Sequence, residues 1–420
     1  MNAPVEMLSV TEAREVILKQ FAPLAAERVG LLDGLNRILA EPVQADIDLP
    51  PFGNSSMDGY AVRAVDVVGA TPERPVVLRI VADVAAGHPC ETPIEPGTAA
   101  RITTGAPLPR GADAVIPVES TDDPARGASS LRASVSILEE FAPGAFVRAS
   151  GEDVRRGQTV LPAGAWIRPP EIALLAAVGC TTVSVVRKPR VALFASGDEL
   201  VPPEHVPGPG QIRNSNEYGT AALVMRYGGV SLALGIAPDD RDAIHGKFEL
   251  ALEQAADLIV SSAGVSIGPL DLVKEVVQAD GALALWRIRM RPGKPLAFGH
   301  YKGVPFFGLP GNPVSAMLTF EQFVRPALLK LGGRMHLEKP TLQVTLLDEI
   351  TSDGRETYAR ANVQRDGTSF VARLSGGQGS NMLSALTTAN ALVIVPNGVT
   401  RLAAGSRVTA QMLDWPEEVA

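Results

Sequence analysis

The sequence is poor in cysteine, histidine and long apolar runs, and each shortage argues against a class of protein. Its two cysteines, Cys90 and Cys180, permit at most one disulfide, which is typical of a reducing compartment. The five histidines lack metal-ligand spacing, which argues against a zinc site. The longest apolar runs, such as residues 172–179, are far shorter than the roughly 20 residues of a membrane helix. The N-terminal stretch also lacks the pattern of a signal peptide, so we expect a cytoplasmic protein with no membrane partner.

A basic stretch is also missing. The 420 residues carry a net charge of −8 without a long basic run, so we do not expect nucleic acid as a partner. Glycine and proline are abundant, at 40 and 34 residues, and recur throughout the chain as turn residues. With a hydrophobic content of 46%, this composition predicts a globular protein of about two to four domains.

The N-terminal half combines helical segments with a β-rich region. Residues 9–22 predict a helix that begins with a capping box of Ser9 and Glu12. Residues 169–180 predict a second helix with proline in its first turn. Between these helices, residues 46–149 alternate short β-rich segments with turn residues, which predicts a small β domain.

The C-terminal half changes texture twice. From residue 190, strands that are apolar along their whole length alternate with helical segments. This rhythm predicts a multidomain α/β plus β protein whose central part is a doubly wound parallel sheet. After about residue 337 the chain returns to short strands and turns, which predicts a C-terminal β domain.

Polar side chains follow five consecutive strands of the predicted sheet. Ligands bind outside the carboxyl ends of the strands in such sheets. An Asp after a strand can also simply cap a helix, so one such end indicates little, but five on one edge predict a site. The residues at these ends are Asp198 and Glu199, Asp239 and Asp240, Asp271, Arg291 and Lys294, and Asn312 and Ser315.

The mixture of residue types at these strand ends indicates the chemistry. Carboxylates are hard ligands that suit Mg²⁺, whereas Arg291 and Lys294 supply positive charge for anions. The loop 261–268 precedes a helix, so its backbone N–H groups can hold an anion. Together these features predict phosphoryl or oxyanion chemistry.

Seven sequence motifs, in the same order, resemble the molybdopterin molybdenumtransferase family. Two lie in polar loops that local sequence alone does not distinguish from ordinary turns, "PPFGNSSMDGYAVR" and "RITTGAPLPRGADAVIP". The others are "GEDVRRGQ", "ALFASGDEL", "SSAGVSIGPLD", "RPGKPLAFG" and "GLPGNPVSA". The resemblance extends over roughly residues 9–415. The sequence is also similar to the C-terminal enzyme domain of gephyrin.

This resemblance implies a homodimer of four-part subunits. The implied parts are a helical dimerisation domain (1–45 and 150–182), an inserted β domain (46–149), a molybdopterin-binding α/β domain (183–337) and a C-terminal β-barrel (338–420). The implied reaction inserts molybdate into adenylylated molybdopterin with Mg²⁺-dependent release of AMP. In the family, the active cleft is shared between the two subunits.

The resemblance also implies roles for individual residues. The catalytic residues would be Asp58, Thr104, Asp153, Glu199, Asp239 and Asp271, of which Glu199, Asp239 and Asp271 would also bind the metal. Molybdate would bind to Arg291 and Lys294. The cofactor would bind to Ser261, Ser262, Gly264, Ser266, Gly268, Pro310, Gly311, Asn312, Pro313 and Ser315.

The sequence departs from the family pattern at three positions. Gly53 stands where Asp is usual, Ala263 where Gly is usual, and Arg291 where some members have Lys.

Two other functions stay open: a molybdopterin adenylyltransferase-like enzyme, and a gephyrin-like scaffold that binds a partner peptide. Retention of the carboxylates favours an enzyme. The partners implied are a molybdopterin adenylyltransferase and the apo-molybdoenzymes that receive the cofactor. The sequence does not separate molybdate from tungstate.

Overall fold

In the computed structural model, the chain forms two compact units. The first comprises Met1–Arg28, Asn36–Ala40 and Ser184–Ala420, and the second comprises Val29–Leu35 and Glu41–Val183. The structure describes residues 7–123, 131–262 and 272–415. Four predicted site residues lie outside these ranges, namely Gly264, Ser266, Gly268 and Asp271. The predicted four-part division is finer than these two units, and its boundaries stay a prediction.

The helices and strands of the described residues follow in chain order. The helices are α1 (Val10–Leu18), α2 (Pro169–Ala177), α3 (Asn216–Arg226), α4 (Arg241–Glu253), α5 (Leu272–Asp280), α6 (Pro313–Thr319), α7 (Arg325–Leu331) and α8 (Ser384–Thr387). The strands are β1 (Met7–Leu8), β2 (Ala26–Gly30), β3 (Val43–Gln44), β4 (Asn54–Ser55), β5 (Gly59–Val62), β6 (Val76–Val84), β7 (Thr98–Ile102), β8 (Ala114–Pro117), β9 (Ser134–Ile137), β10 (Val147–Arg148), β11 (Thr159–Leu161), β12 (Thr182–Val186), β13 (Arg190–Ser196), β14 (Leu200–Val201), β15 (Ile212–Arg213), β16 (Val230–Ala237), β17 (Leu258–Ser262), β18 (Gly281–Ile288), β19 (Met290–Arg291), β20 (Pro295–Tyr301), β21 (Val304–Leu309), β22 (Thr341–Leu346), β23 (Ile350–Thr351), β24 (Glu356–Asp366), β25 (Ser369–Leu374), β26 (Ala391–Val395), β27 (Arg401–Leu402) and β28 (Arg407–Met412).

The first unit contains a seven-stranded sheet in the order β1-β18-β20-β21-β17-β13-β16. Strands β16, β13, β17 and β21 run parallel, as the βαβ rhythm predicts. Strand β20 is antiparallel to both of its neighbours. The sequence analysis missed β20 because it follows a Pro-Gly turn and forms a tight hairpin with β21, without a crossover helix.

Both faces of this sheet are covered by helices, which is the doubly wound arrangement. Alternate side chains of β13 show it: Val191 and Leu193 lie in one apolar cluster, and Ala192 and Phe194 lie in the other. The first cluster includes residues of α1, α6 and α7, and the second includes residues of α4 and α5. Burial on both faces explains why β13 is apolar along its length.

A closed β-barrel follows in the same unit. Its strand order is β24-β25-β22-β28-β26, and β26 pairs back with β24 to close the barrel. The inward side chains of these strands form a separate apolar cluster. Strand β19 of the α/β part pairs with β24. Met290 and Arg291 are therefore paired directly with a strand of the barrel.

The second unit is built around a five-stranded sheet in the order β8-β5-β7-β6-β9. Gly59 begins β5 and is required there, because a Cβ at this position would lie 1.9 Å from the Ile116 carbonyl oxygen. Short two-stranded sheets, β10–β4 and β11–β3, extend the unit. Helix α2 begins with proline in its first turn, which confirms the predicted helix.

The N-terminal helix also matches its sequence signals. Ser9 caps α1 and its hydroxyl accepts a hydrogen bond from the Glu12 N–H, while the Glu12 carboxylate accepts one from the Ser9 N–H. A π-helical turn at Phe320–Val324 separates α6 from α7. None of the helices in the described ranges is both long and apolar enough to cross a membrane.

Candidate functional site

The first unit contains a cavity of about 560 Å³ at the carboxyl end of β21. Four separate chain segments line it, two from the α/β part and two from the barrel part of the chain. The lining residues are Arg291, Pro292, Gly293, Lys294, Pro295, Pro310, Gly311, Asn312, Ser315, Arg355, Gln378, Gly379 and Ser380. Six of the positions predicted from sequence therefore meet in one place: Arg291, Lys294, Pro310, Gly311, Asn312 and Ser315.

The segment Arg291–Lys294 brings two cations to the cavity. Both side chains are exposed, and within the described residues neither forms an ion pair. Gly293 between them has φ +109°, and a Cβ there would lie 2.6 Å from the buried Thr319 hydroxyl. Only glycine fits this close approach to α6. The local sequence therefore fixes the backbone so that both cations can be presented to a ligand.

The turn between β21 and α6 forms the second wall. Asn312 occupies the position before α6, and Pro313 stands in the first turn of that helix, where its missing N–H costs no hydrogen bond. The Asn216 amide of α3 donates a hydrogen bond to the Gly311 carbonyl at 2.7 Å. Ser262, at the end of β17, lies beside Leu309 in the parallel pairing, so this predicted residue is next to the turn.

The third wall comes from the barrel and was missed in the sequence analysis. The loop Gly377–Ser380 lies between β25 and α8, and the Val314 N–H of α6 donates to the Ser380 carbonyl at 3.1 Å. The "GGQGS" stretch was the available signal, because a glycine-rich run between a strand and a helix is typical of a ligand-binding loop. Arg355 is a further lining residue that the sequence analysis did not identify.

A fully buried arginine lies directly behind this loop. The Arg360 guanidinium donates to the Gly377 carbonyl at 2.7 Å and to the Gly379 carbonyl at 3.1 Å. Its Nε atom is buried and has no partner, and no ion pair involves Arg360 among the described residues. Burial lowers the pKa of Arg360 from its usual value. An unbalanced positive charge close behind a polar cavity favours the binding of an anion.

The predicted carboxylates lie at the ends of the neighbouring strands. Glu199 follows β13, and its carboxylate folds over Gly197, where a Cβ would lie 2.3 Å from Glu199 Oε2. The Asp239 N–H donates to Asp198 Oδ1 at 3.0 Å, which joins the ends of β13 and β16. Asp240 has a structural role, because it caps α4 by accepting a hydrogen bond from the Ala243 N–H. Asp198, which the sequence also places at a strand end, has a structural role too, because its carboxylate accepts the bond from the Asp239 backbone N–H.

These carboxylates have the chemistry that Mg²⁺ prefers. Glu199 and Asp239 are exposed, and their carboxylates have no hydrogen-bond partner in the part of the chain that the structure describes. No group of three His, Cys, Asp or Glu side chains in the same part could hold a metal ion. The third expected ligand, Asp271, is outside the described residues. The donor type therefore fits, and the full ligand set stays a prediction.

Ser261 and Ser262 end strand β17 at the same edge of the sheet. Both are buried, and the Ser261 hydroxyl has no hydrogen-bond partner in the described ranges. Ser262 lies opposite Ala195 of β13 and Leu309 of β21. The two serines therefore sit between the strand that leads to Glu199 and the strand that leads to Pro310.

The second unit brings together two residues that were predicted from separate motifs. The Thr104 backbone N–H donates to Asp58 Oδ1 at 2.7 Å, and the Thr104 hydroxyl donates to the same oxygen at 2.8 Å. Both residues are exposed. The third predicted residue, Asp153, is also exposed, and its N–H donates to the Leu49 carbonyl at 2.9 Å. No hydrogen bond joins the Asp153 carboxylate to Asp58 or Thr104, and all three residues are described.

A cavity of about 250 Å³ adjoins Asp58 in this unit. Its lining includes an ion pair between Arg101 and Asp83, in which the guanidinium lowers the pKa of the Asp83 carboxyl. It also includes the buried Tyr60, whose hydroxyl donates to Asp123 at 2.5 Å. Burial, followed by this carboxylate, raises the pKa of Tyr60 well above its usual range. Tyr60 therefore stays protonated and acts as a fixed donor.

Comparison with known proteins gives consistent matches along the chain. Family models match as the MoeA N-terminal region (domain I and II) over residues 8–179, a probable molybdopterin binding domain over 192–330, and the MoeA C-terminal region (domain IV) over 343–413. The chain is 38% identical to the molybdopterin molybdenumtransferase of Nostoc sp., covering 97% of this chain and 94% of that protein. It is 36% identical to molybdopterin molybdenumtransferase 2 of Mycobacterium tuberculosis, covering 96% and 98%. The crystal structure of a molybdopterin biosynthesis MoeA protein from Pyrococcus horikoshii matches with a TM-score of 0.80 and 32% identity, covering 98% of this chain and 100% of that chain.

Proposed function

This chain belongs to the molybdopterin molybdenumtransferase family, whose members are transferases of molybdenum cofactor biosynthesis, and we propose that it inserts molybdate into adenylylated molybdopterin with release of AMP. The observation that carries this proposal is the cavity of about 560 Å³ with Arg291 and Lys294 on its wall and Arg360 behind it. The proposed substrates are a tetrahedral oxyanion and a phosphorylated cofactor, and both are anions.

The charge of this site opposes the charge of the whole protein. The chain has a net charge of −8, so bulk electrostatics repel molybdate. Charges beyond a Debye length of about 8–10 Å are largely screened by salt, whereas cations at the cavity wall act at contact. Lys294 is a compact point charge suited to a small oxyanion, and Arg291 adds a planar set of donors. These two residues would bind molybdate.

The cofactor would occupy the edge formed by consecutive strand ends. The turn Pro310–Pro313 and the serines Ser261 and Ser262 offer backbone N–H groups and hydroxyls for phosphate oxygens. Glu199 and Asp239 would hold Mg²⁺ with Asp271, and the ion would supply charge neutralisation at the phosphate groups. The chain's own contribution is to orient the phosphate linkage and to place molybdate beside it.

Asp58 and Thr104 would act as a second catalytic element. The two hydrogen bonds from Thr104 fix the orientation of the Asp58 carboxylate, which suits it to position a water molecule or a proton. We propose that the chain works as a homodimer in which Asp58 of one subunit completes the site of the other. A molybdopterin adenylyltransferase would supply the substrate, and apo-molybdoenzymes would receive the product.

The test is an assay of the purified full chain with adenylylated molybdopterin, Mg²⁺ and molybdate. We expect AMP and metal-bound cofactor to appear together and only when molybdate is present. An adenylyltransferase would instead consume ATP and molybdopterin and form the adenylylated cofactor. A scaffold would bind a partner peptide and release no AMP. Consumption of ATP, or the absence of AMP release, would therefore overturn the proposed reaction.

A further inference from the structure

Arg355 joins the barrel to the segment that carries the two cavity cations. It lies just before β24, and its Nη1 atom donates to the Met290 carbonyl at 3.0 Å. Its Nε atom donates to both carboxylate oxygens of Asp353 at 3.1 Å, and its Nη2 atom donates to Asp353 Oδ2 at 2.5 Å. One guanidinium therefore contacts the carboxylate beside it and the carbonyl immediately before Arg291.

We propose that Arg355 is a positioning residue for the molybdate-binding segment Arg291–Lys294, and that Asp353 fixes its guanidinium in the required orientation. This inference rests on the proposed function, because it assigns a role in presenting Arg291 and Lys294 to molybdate. It gives the barrel a specific part in anion binding beyond supplying a wall of the cavity.

The charge distribution favours positioning over direct anion binding. Asp353 neutralises the Arg355 guanidinium through a bidentate contact. These hydrogen bonds, with a smaller contribution from the charge of Arg291, lower the pKa of Asp353 to about 2, so the carboxylate stays ionised over the working pH range. Arg291 and Lys294, by contrast, form no ion pair among the described residues. Within the described residues, the cavity wall thus has two cations without an ion pair and one cation that is paired.

The backbone around Arg355 is also held in place. Its carbonyl accepts hydrogen bonds from the Thr357 hydroxyl at 3.0 Å and the Ser352 hydroxyl at 3.2 Å. The Glu356 N–H donates to the Arg289 carbonyl at 3.0 Å, next to the two-residue pairing of β19 with β24. The Ile288 N–H also donates to the Lys294 carbonyl at 2.7 Å, at the other end of the segment. The Arg355 side chain supplies a further bond at Met290, one residue before the first cation.

Precise placement matters at this site because the ligand is small. An error of about 1 Å in the position of a binding group is enough to lower activity strongly. On its other side, the segment is fixed by the close approach of Gly293 to Thr319. Removal of the Arg355–Met290 bond would leave the barrel side of the segment with the short β19–β24 pairing and without its side-chain bond, so both cations would sample more positions.

The test uses two variants that disturb this contact in different ways. Arg355→Lys keeps a positive charge but cannot contact both Asp353 oxygens and the Met290 carbonyl. Asp353→Asn keeps the guanidinium but removes its orienting charge. The matched controls are Arg401→Lys and Glu349→Gln, which alter an exposed barrel ion pair of 2.7 Å that does not line the cavity. Molybdate affinity is measured by calorimetry on the folded full chain, and kcat and KM for molybdate and cofactor are measured separately.

We expect both test variants to raise the molybdate Kd and the molybdate KM by about tenfold, the size expected for one lost hydrogen bond. The cofactor KM should stay unchanged, and the double variant should be no worse than either single one. Wild-type molybdate affinity in both variants, with folding intact by circular dichroism, would overturn the inference. So would tight binding in Asp353→Asn with weak binding in Arg355→Lys, because that pattern identifies a direct ligand.

A separate variant distinguishes failure of this inference from failure of the proposed function. If Lys294→Ala weakens molybdate binding while the Arg355 and Asp353 variants do not, the cavity binds the oxyanion and only the positioning role is wrong. If the wild-type chain binds no molybdate, the proposed function fails with it. Unchanged molybdate binding in Lys294→Ala would contradict the assignment of molybdate binding to the segment Arg291–Lys294.

Discussion

Thr104 donates two hydrogen bonds to one carboxylate oxygen of Asp58, from its backbone N–H at 2.7 Å and from its hydroxyl at 2.8 Å. The two residues are 46 positions apart in the chain. Strand β5 begins directly after Asp58, and it pairs with β7, which ends at Ile102. The pairing of Gly59 with Ile102 therefore brings the two loops together.

Replacement of Thr104 by valine should lower turnover by about tenfold without unfolding the protein. Valine has nearly the same shape and keeps the backbone N–H bond, so only the hydroxyl bond to Asp58 is lost. Thr104→Ser keeps a hydroxyl and serves as the control, with nearly wild-type turnover expected. The measurement is kcat for AMP release together with the melting temperature. Equal rates for the serine and valine variants would contradict a role for the hydroxyl.

Sequence alone was sufficient for the elements whose signals are local. The capping box of Ser9 and Glu12 and the apolar run of β13 formed as predicted, because each depends on neighbouring residues or on burial of both faces. Strand β20 and the place of Arg355 on the cavity wall could not be found in this way. Strand β20 departs from the βαβ rhythm because it forms a hairpin with β21, and the place of Arg355 depends on the pairing of β19 with β24, which joins residues far apart in the chain.

Replacement of Lys294 by alanine should raise the molybdate concentration for half-maximal rate by about tenfold and should weaken cofactor binding less. Lys294 lies on the cavity wall as a point charge that forms no ion pair in the part of the chain that the structure describes. The control is Lys302→Ala, because Lys302 pairs with Glu249 at 2.7 Å and does not line this cavity. The measurement is the initial rate as a function of molybdate concentration at saturating cofactor. An unchanged molybdate dependence in Lys294→Ala would remove this residue from the oxyanion site.

The buried Glu321 should be essential for stability. It is 5% exposed, accepts a hydrogen bond from the Tyr227 hydroxyl at 2.8 Å, and lies 3.3 Å from Arg325 and 3.4 Å from Lys339. Glu321→Gln keeps the size and leaves two buried cations without their carboxylate. We expect a loss of about 3 kcal/mol in the free energy of unfolding, measured with urea at pH 7. The exposed pair variant Glu349→Gln should cost less than about 1 kcal/mol.

This loss should depend on pH in a defined direction. Burial lowers the pKa of Lys339 in the folded protein, and Glu321 opposes that shift. Without Glu321 the folded pKa falls further below the unfolded value of about 10.4. As the pH rises between these two values, folded Lys339 loses its proton first and its buried charge disappears. The deficit of Glu321→Gln should therefore be smaller near pH 10 than at pH 7, and a deficit that stays constant would exclude Lys339 as its source.

The proposed sharing of the site between subunits predicts complementation between two inactive proteins. Asp58 belongs to the second unit and Glu199 to the first, so Asp58→Asn and Glu199→Gln place their lesions in different units of the chain. In a two-fold dimer with shared sites, a mixed dimer has one site with both lesions and one site with neither. Random exchange of equal amounts makes about half of the dimers mixed, so about a quarter of all sites become wild-type. AMP release should then recover to roughly that fraction of the wild-type rate.

Exchange is verified by mixing differently tagged subunits and isolating dimers that contain both tags. If such dimers form and the rate stays at that of the single variants, Asp58 acts within its own chain, because every chain in the mixture then retains one lesion in its own site.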